Sequence, residues 1–143
     1  MAKAKSLSYI DVSAATRRRM QAVRGEDTAP ELRVRRLLHA MGYRFRLHVK
    51  KLPGSPDIVL PKYKKIVLIH GCFWHGHMDC KRSKLPANNS ETWRSKIASN
   101  QARDLRNTSA LHDLGWDILV VWECETRDQV ALVKRLKEFL PSD

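Results

Sequence analysis

The segment from His70 to Cys80 limits the folds open to this chain more than any other part of the sequence. Its eleven residues, HGCFWHGHMDC, include three histidines, two cysteines and two large aromatic residues. Ligand-type side chains so close together do not suit a buried core strand. We therefore expect a loop that gathers metal ligands, proton-transfer groups and stacking groups in one place.

The net charge indicates a polyanionic partner. Lysine and arginine together number 27 against 15 acidic residues, which gives a formal net charge of +12. Such an excess attracts polyanions, so nucleic acid is the leading expected partner and an anionic membrane surface is the alternative. The membrane alternative is the weaker one, because the basic residues are not laid along one amphipathic helix.

Length and hydropathy favour a cytoplasmic protein with one core. The chain has 143 residues, of which 43% are hydrophobic, and this is enough for one domain. No apolar run approaches the roughly 18–20 residues of a membrane span, and the N-terminus lacks the apolar centre of a signal peptide. The three cysteines, an odd number, argue against a disulfide framework and leave metal binding or simple burial.

The N-terminal region differs in composition from the rest of the chain. Residues 1–27 are polar and basic, and Arg17, Arg18 and Arg19 are consecutive. The predicted division is a basic arm over residues 1–27 and one domain over residues 28–143. The three arginines either contact phosphates or form an ordinary solvated face, and both interpretations stay open.

The spacing of apolar residues predicts an α/β fold. Thr28 and Glu31 have the spacing of a capping box, and Gly42 can end the first helix. The expected helices cover residues 28–42, 90–114 and 126–140, and the expected strands cover 43–49, 57–60, 65–70 and 116–122. Core contacts expected on the second helix are Trp93, Ile97, Leu105 and Leu111.

The lengths of the connections predict the sheet topology. Short turns favour antiparallel pairing of the first three strands, and the long helix favours a parallel crossover to the fourth. The expected architecture is a mixed central β-sheet flanked by helices.

Cysteine and histidine spacing indicates a zinc site. Cys72, His77 and Cys80 lie within nine residues, but three ligands are one short of a closed tetrahedral site. Cys124 directly follows the last predicted strand. If that strand lies beside the one ending at His70, its thiolate completes a structural Cys3His set. The competing interpretation is that Cys124 is a small buried residue and the other cysteines bind nothing.

Other polar residues near this loop are candidates for chemistry. His70 and His75 are left over by the zinc set and can move protons near neutral pH. Asp57 opens a strand at a tight turn, where a carboxylate can hold a hard divalent cation, and Asp104 on the long helix could orient a histidine. Taken singly, each residue is better explained as a spare ligand or satisfied histidine, an ordinary turn aspartate or a surface residue of a charged helix.

Two adjacent aromatic residues, Phe73 and Trp74, cannot both enter one core easily from a regular element. Beside a cationic surface they suit stacking on bases or wedging between base pairs. Trp93 either joins them or packs in the helix core. The alternative is that Phe73 and Trp74 only cover the zinc site.

The whole pattern resembles the very short patch repair (Vsr) mismatch endonucleases. The hallmark of that family resembles T-H-G-C-F-W-H-x-H-x(1–2)-C, which reads here from Ile69 to Cys80. Four further motifs of the family are present in the family's order. Two precede this segment, D-T-A-x-E at 27–31 and L-P-G-x-P-D at 52–57, and two come after it, N-x-x-R-D at 100–104 and L-G-W-x-(I/L)-L-(I/V)-V-W-E-C at 114–124. The resemblance covers roughly residues 14 to 140. One departure is that two residues, Met78 and Asp79, separate His77 from Cys80 where some members have one.

The resemblance implies a fold like that of the restriction endonucleases and two kinds of metal. A structural zinc ion would be held by Cys72, His77, Cys80 and Cys124. Catalytic magnesium would be bound by Asp57 and by the main-chain carbonyl of Ile69, where the family often has threonine. Further implied roles are a general base or proton shuttle (His75, oriented by Asp104), a phosphate or water contact (His70) and an additional active-site acid (Glu31).

For DNA, the resemblance implies wedging beside the mismatch by Phe73, Trp74 and Trp93, with Met20 supporting the deformation from the minor groove. The implied activity is a magnesium-dependent, strand-specific nick 5′ to the thymine of a T:G mismatch, which starts very short patch repair. A monomer that acts on double-stranded DNA, with mismatch-repair proteins as partners, is expected. The alternatives are a nuclease of the same fold with another target, such as a restriction-type enzyme, and a non-catalytic zinc DNA-binding module.

Overall fold

The computed structural model of the protein describes residues 27–142. Arg17, Arg18, Arg19 and Met20, with nearly all of the predicted basic arm, lie outside the described residues. Their DNA contacts therefore stay predictions.

Helices and strands follow one another in the predicted order. The elements are α1 (Ala29–Ala40), β1 (Arg46–Leu47), β2 (Ile58–Leu60), β3 (Lys65–His70), α2 (Ser90–Asp113), β4 (Asp117–Trp122) and α3 (Gln129–Phe139). Gly115, at φ +93, ends α2 by turning the chain so that the Trp116 N–H donates to the Leu111 carbonyl at 3.1 Å. None of the helices between residues 27 and 142 combines the length and hydropathy needed to cross a lipid bilayer.

The sheet is mixed, in the order β1-β2-β3-β4. β1 pairs with β2 and β2 with β3 in antiparallel fashion, whereas β3 and β4 are parallel. The topology predicted from the connection lengths is thus confirmed. In the parallel pair His70 lies opposite Trp122, so the segments that follow β3 and β4 leave the sheet at the same edge.

Both faces of the sheet are covered, which explains the uninterrupted apolar run of β3. Alternate residues of a strand point to opposite faces: Val67 packs towards α1 and α3, and Ile66 packs towards α2. The cluster on the first face comprises Val34, Leu38, Ile58, Leu60, Val67, Val121, Leu132, Leu136 and Leu140. The resulting three-layer arrangement leaves the sheet edge beyond His70 and Trp122 open for the loop that carries the candidate site.

Three details of the sequence prediction were wrong. The strand expected over 43–49 shrinks to Arg46–Leu47, both exposed, because an edge strand has only one neighbour to pair with. Leu105 is 69% exposed, since it follows Asp104 on the helix and so faces about 100° away from the buried stripe. The last helix begins at Gln129 rather than near residue 126, because Asp128 caps it by accepting from the Ala131 N–H at 3.1 Å.

Candidate active site and metal centre

The four proposed zinc ligands come together at the open sheet edge. The sulfur atoms of Cys72, Cys80 and Cys124 and a ring nitrogen of His77 all lie within 4.8 Å of one another. The Cys124 N–H donates to the Cys72 sulfur at 3.4 Å, and Cys124 Sγ lies 3.5 Å from His77 Nδ1. Three sulfurs and one imidazole nitrogen at this spacing fit a closed tetrahedral zinc site.

The loop around these ligands is stabilised by its own contacts. The Ser83 hydroxyl lies 2.7 Å from the His77 carbonyl and 2.8 Å from the Cys80 carbonyl. The His77 ring stacks on Trp122 with centroids 4.1 Å apart and an interplanar angle of 7°. Asp79 has φ +56, a left-handed conformation that aspartate tolerates better than most residues. The two-residue spacer between His77 and Cys80 is accommodated by this turn.

The thiols of the cluster differ in acidity. Burial raises the pKa of Cys72 to about 12. Burial also acts to raise the pKa of Cys80, but hydrogen bonds from the Arg82 N–H and the Cys72 thiol outweigh it, and the net pKa is lowered. Because zinc binds thiolates, its binding here would displace protons, and its affinity should weaken at acid pH.

Asp57 provides a half-buried carboxylate next to β3. Its Oδ2 accepts the Ile69 N–H at 2.8 Å. Burial raises the pKa of Asp57 to about 6, against the opposing effect of the Ile69 N–H, and the charge of Glu31 raises it further. A desolvated carboxylate within the electrostatic influence of a second acid is a favourable place for a hard cation with oxygen ligands.

His70 and His75, which are not among the proposed zinc ligands, lie face to face. The rings of His70 and His75 stack with centroids 4.0 Å apart and an interplanar angle of 6°. His75 Nδ1 lies 2.6 Å from Asp104 Oδ2, and a carboxylate can only accept, so Nδ1 donates and Nε2 is left as the basic atom. Burial, reinforced by His75, lowers the pKa of His70 to about 4, so His70 is neutral at neutral pH.

Helix α2 holds the backbone of the loop in place. The Asn100 amide donates to the Trp74 carbonyl at 2.9 Å, and the Gln101 amide donates to the His75 and Gly76 carbonyls at 3.3 Å each. Gly76 has φ +63, and a Cβ there would come within 2.4 Å of Gln101 Nε2. Sequence reasoning missed Gln101, because only its place beside Asn100 pointed to it.

Glu31 lies deep in the site at the start of α1, 1% exposed. Its N–H donates to Thr28 Oγ1 at 3.4 Å, which is one half of the predicted capping box. The Glu31 carboxylate does not complete the box by accepting the Thr28 N–H. Instead its Oε2 is bound by Arg35 and lies 2.7 Å from His48 Nε2. Sequence reasoning also missed His48, which it placed only on the polar side of a strand.

The three aromatic candidates form one cluster. The ring centroids of Phe73, Trp74 and Trp93 lie 5.3 to 6.0 Å apart in edge-to-face pairs. Trp93 is fully buried, whereas Phe73 and Trp74 are half-buried. Trp122, and not this cluster, stacks on the His77 ring.

Comparison with known proteins identifies the family of this chain. The family model for DNA mismatch endonuclease Vsr matches residues 10–82. The type II nicking enzyme V.XorIIP of Xanthomonas oryzae pv. oryzae is 52% identical over 121 residues, which cover 85% of this chain and 88% of the relative. The DNA mismatch endonuclease Vsr of Escherichia coli K12 is 43% identical over 126 residues, or 85% of this chain and 80% of the relative. The chain therefore belongs to the Vsr family of DNA mismatch endonucleases, which are nucleases acting on DNA.

Proposed function

We propose that this nuclease makes a magnesium-dependent nick in one strand of duplex DNA, 5′ to the thymine of a T:G mismatch, and so starts very short patch repair. The observation that carries the proposal is the meeting of Asp57, the stacked His70 and His75, and Asp104 at the end of β3. A binding module that does not cut DNA would need no such arrangement. The similarity to a relative named as a mismatch endonuclease supports the substrate.

Two metals belong to the proposal, within a fold of the restriction-endonuclease type. Magnesium would be held by the Asp57 carboxylate and the Ile69 carbonyl. When bound, it would supply charge neutralisation at the phosphate and an acidified water as the proton source for the leaving 3′-oxygen. Zinc would be held by Cys72, His77, Cys80 and Cys124. Phe73, Trp74 and His75 lie between the zinc ligands Cys72 and His77 along the loop, so fixing the ligands also fixes the groups between them.

The chain's own residues would move the proton. His75 Nε2 takes a proton from the attacking water, and the Asp104 carboxylate, 2.6 Å from Nδ1, holds the ring and stabilises the imidazolium that forms. His70, kept neutral by burial, offers an N–H to the scissile phosphate. Cleavage would leave a 5′-phosphate and a 3′-hydroxyl. Glu31 contributes to this site through Asp57, whose acidity it alters.

Mismatch selectivity is assigned to the aromatic cluster. Inserting side chains between base pairs costs a few kcal/mol of unstacking free energy. This cost is lowest where the bases are mispaired. We assign the wedge to Phe73 and Trp74, with the buried Trp93 as its support. Arg17, Arg18, Arg19 and Met20 would contact the DNA from the arm. The proposal also includes a monomer, a cytoplasmic location with the DNA, and mismatch-repair proteins as partners.

The substitution Trp74→Ala should reduce the preference for T:G over T:A duplexes by roughly tenfold, because a wedge contributes about 1–3 kcal/mol per stacked base. Affinity for matched duplex should change less than about threefold, since phosphate contacts remain. Binding and nicking of paired duplexes measure both quantities. Trp74→Phe, which keeps an aromatic ring, is the matched control. An unchanged T:G preference in Trp74→Ala would remove the wedge role.

Replacing Asp104 with asparagine should slow nicking by roughly 10²–10⁴-fold, because the His75 ring loses its orienting carboxylate. In a His75→Gln background the same change should have little further effect, since the two residues act as a unit. Single-turnover nicking rates of the four proteins give this comparison. Asp113→Asn, an exposed change at the end of the same helix, is the control. Independent, additive effects would contradict the pairing.

The proposed function is tested by a strand-labelled nicking assay over all mismatches in varied flanking sequences, with and without magnesium. A single nick 5′ to thymine in T:G duplexes is expected. Cutting of matched sites would support a restriction-type target instead. Binding without any cutting would support a non-catalytic DNA-binding module.

A further inference from the structure

His48 contacts both acidic residues of the site by different atoms. Its Nε2 lies 2.7 Å from Glu31 Oε2, and its main-chain N–H donates to the Asp57 carbonyl at 3.1 Å. The side chain is 13% exposed and that of Glu31 only 2%. His48 thus links the start of α1 to the start of β2.

The backbone of His48 is unusual, with φ +46. Few residues other than glycine adopt this left-handed region, and such positions concentrate where neighbouring structure enforces them. The contact with Asp57 extends the β1–β2 pairing by one residue beyond Leu47 and Ile58, just before the chain turns away. This turn directs the imidazole towards Glu31.

The other partner of Glu31, Arg35, is shared with a second acidic residue. Arg35 also binds Asp27 at 2.6 Å, and Asp27 is 67% exposed. A buried carboxylate that loses one of two partners is expected to move or to recruit water. The imidazole is therefore the partner that Glu31 does not share with Asp27.

We propose that His48 is a positioning residue that holds Glu31 and Asp57 in a fixed relation and thereby sets the affinity of the site for a divalent cation and the rate of nicking. The inference rests on the proposed metal-dependent function. It assigns His48 no contact with DNA and no proton transfer. The imidazole acts on the Glu31 carboxylate, and the main chain of residue 48 acts on the Asp57 backbone.

The test uses His48→Leu, which removes the hydrogen bond, and His48→Gln, whose side-chain amide nitrogen can replace Nε2. His112→Leu, a change of an exposed histidine on α2, is the control. Mn²⁺ binding is followed by electron paramagnetic resonance without DNA, and nicking is followed at several magnesium concentrations. Hydrogen bonds in the shell around a metal site are typically worth about 10–100-fold in metal affinity or activity. We expect a loss of that size in His48→Leu, unchanged KM for DNA, and substantial recovery in His48→Gln.

Mn²⁺ affinity and nicking rate in His48→Leu within twofold of the wild type would overturn the inference, as would a His48→Gln variant no better than His48→Leu. If His48→Leu fails to fold, His48→Asn replaces it. Asparagine suits positive φ but is too short to reach Glu31, so it should show the same losses relative to His48→Gln. A wild-type protein that binds Mn²⁺ yet leaves T:G duplexes intact would refute the proposed function alone, and the Mn²⁺ measurements would still decide the role of His48.

Discussion

Asp57→Asn should abolish magnesium-dependent nicking, with a loss of about 10³-fold or more, because a metal ion at this carboxylate supplies several kcal/mol of transition-state stabilisation. Binding of the mismatched duplex should change little, since Asp57 is half-buried and its carboxylate accepts the Ile69 N–H. Nicking and binding are measured on the same labelled duplex. Asp113→Asn serves as the exposed control. Normal nicking by Asp57→Asn with magnesium would remove the metal role from this residue.

The same substitution should stabilise the protein when divalent cations are withheld. The pKa of Asp57 in the folded protein is about 6, above the ordinary 3.8, so the folded state holds the proton more tightly than the unfolded state. Stability from this group is greatest below pH 3.8 and is lost as the pH rises to about 6, by roughly 2–3 kcal/mol. Asparagine cannot ionise and avoids that loss.

Unfolding in urea at pH 7.5 and at pH 5 measures this difference. Asp57→Asn should be the more stable protein at pH 7.5, and the advantage should shrink at pH 5. Adding magnesium should raise the stability of the wild type only, since ligand binding to the folded state favours it. For the same reason, the magnesium concentration needed for nicking should rise as the pH falls below about 6. Equal stability of the two proteins at pH 7.5 would contradict the cost of burying this carboxylate.

Cys124→Ser should lose bound zinc and much of the stability of the protein. Cys124 follows β4, whereas Cys72, His77 and Cys80 follow β3, so this ligand ties two segments 52 positions apart. Structural zinc in small domains contributes about 10 kcal/mol or more of apparent binding free energy, and we expect a loss of several kcal/mol or a loss of cooperative unfolding. Elemental analysis and calorimetry measure both effects.

The neighbouring Glu123→Gln is the control for this substitution. The Glu123 carboxylate forms a partly exposed ion pair with Arg82 at 3.9 Å, and such pairs contribute about 0–1 kcal/mol. A Cys124→Ser protein that retains one full equivalent of zinc would exclude Cys124 from the site. An equal loss of zinc in Glu123→Gln would show that the loop, and not the thiolate, is what the metal requires.

Local patterns predicted most of the architecture. The strand Lys65–His70 agrees with its prediction at both ends, because a continuous apolar run between turns has few other readings. Connection lengths were enough for the strand directions, since a short turn permits only an antiparallel neighbour. The edge strand β1 was overestimated because Tyr43 and Phe45, which made the alternating pattern, pack on the core from outside any strand.

The sequence also predicted most of the residues that form the site, but not how they are arranged in space. Family motifs named His75 and Asp104, and adjacent ends of β3 and β4 were expected to bring Cys124 to the loop. The contact between Glu31 and His48 is an example that could not be predicted from the sequence. Their contact depends on how a hairpin packs against α1, and no short-range pattern in either segment encodes that packing.

The sequence by itself determined the elements, their order and the chemical groups at the open sheet edge, because apolar periodicity, caps and turns act over a few positions. Only the tertiary structure decided which of those groups meet and in what charge state. The contacts that matter join residues 17, 29 and 52 positions apart. The raised pKa of Asp57 and the lowered pKa of His70 arise mainly from burial, and burial exists only once all three layers have packed together.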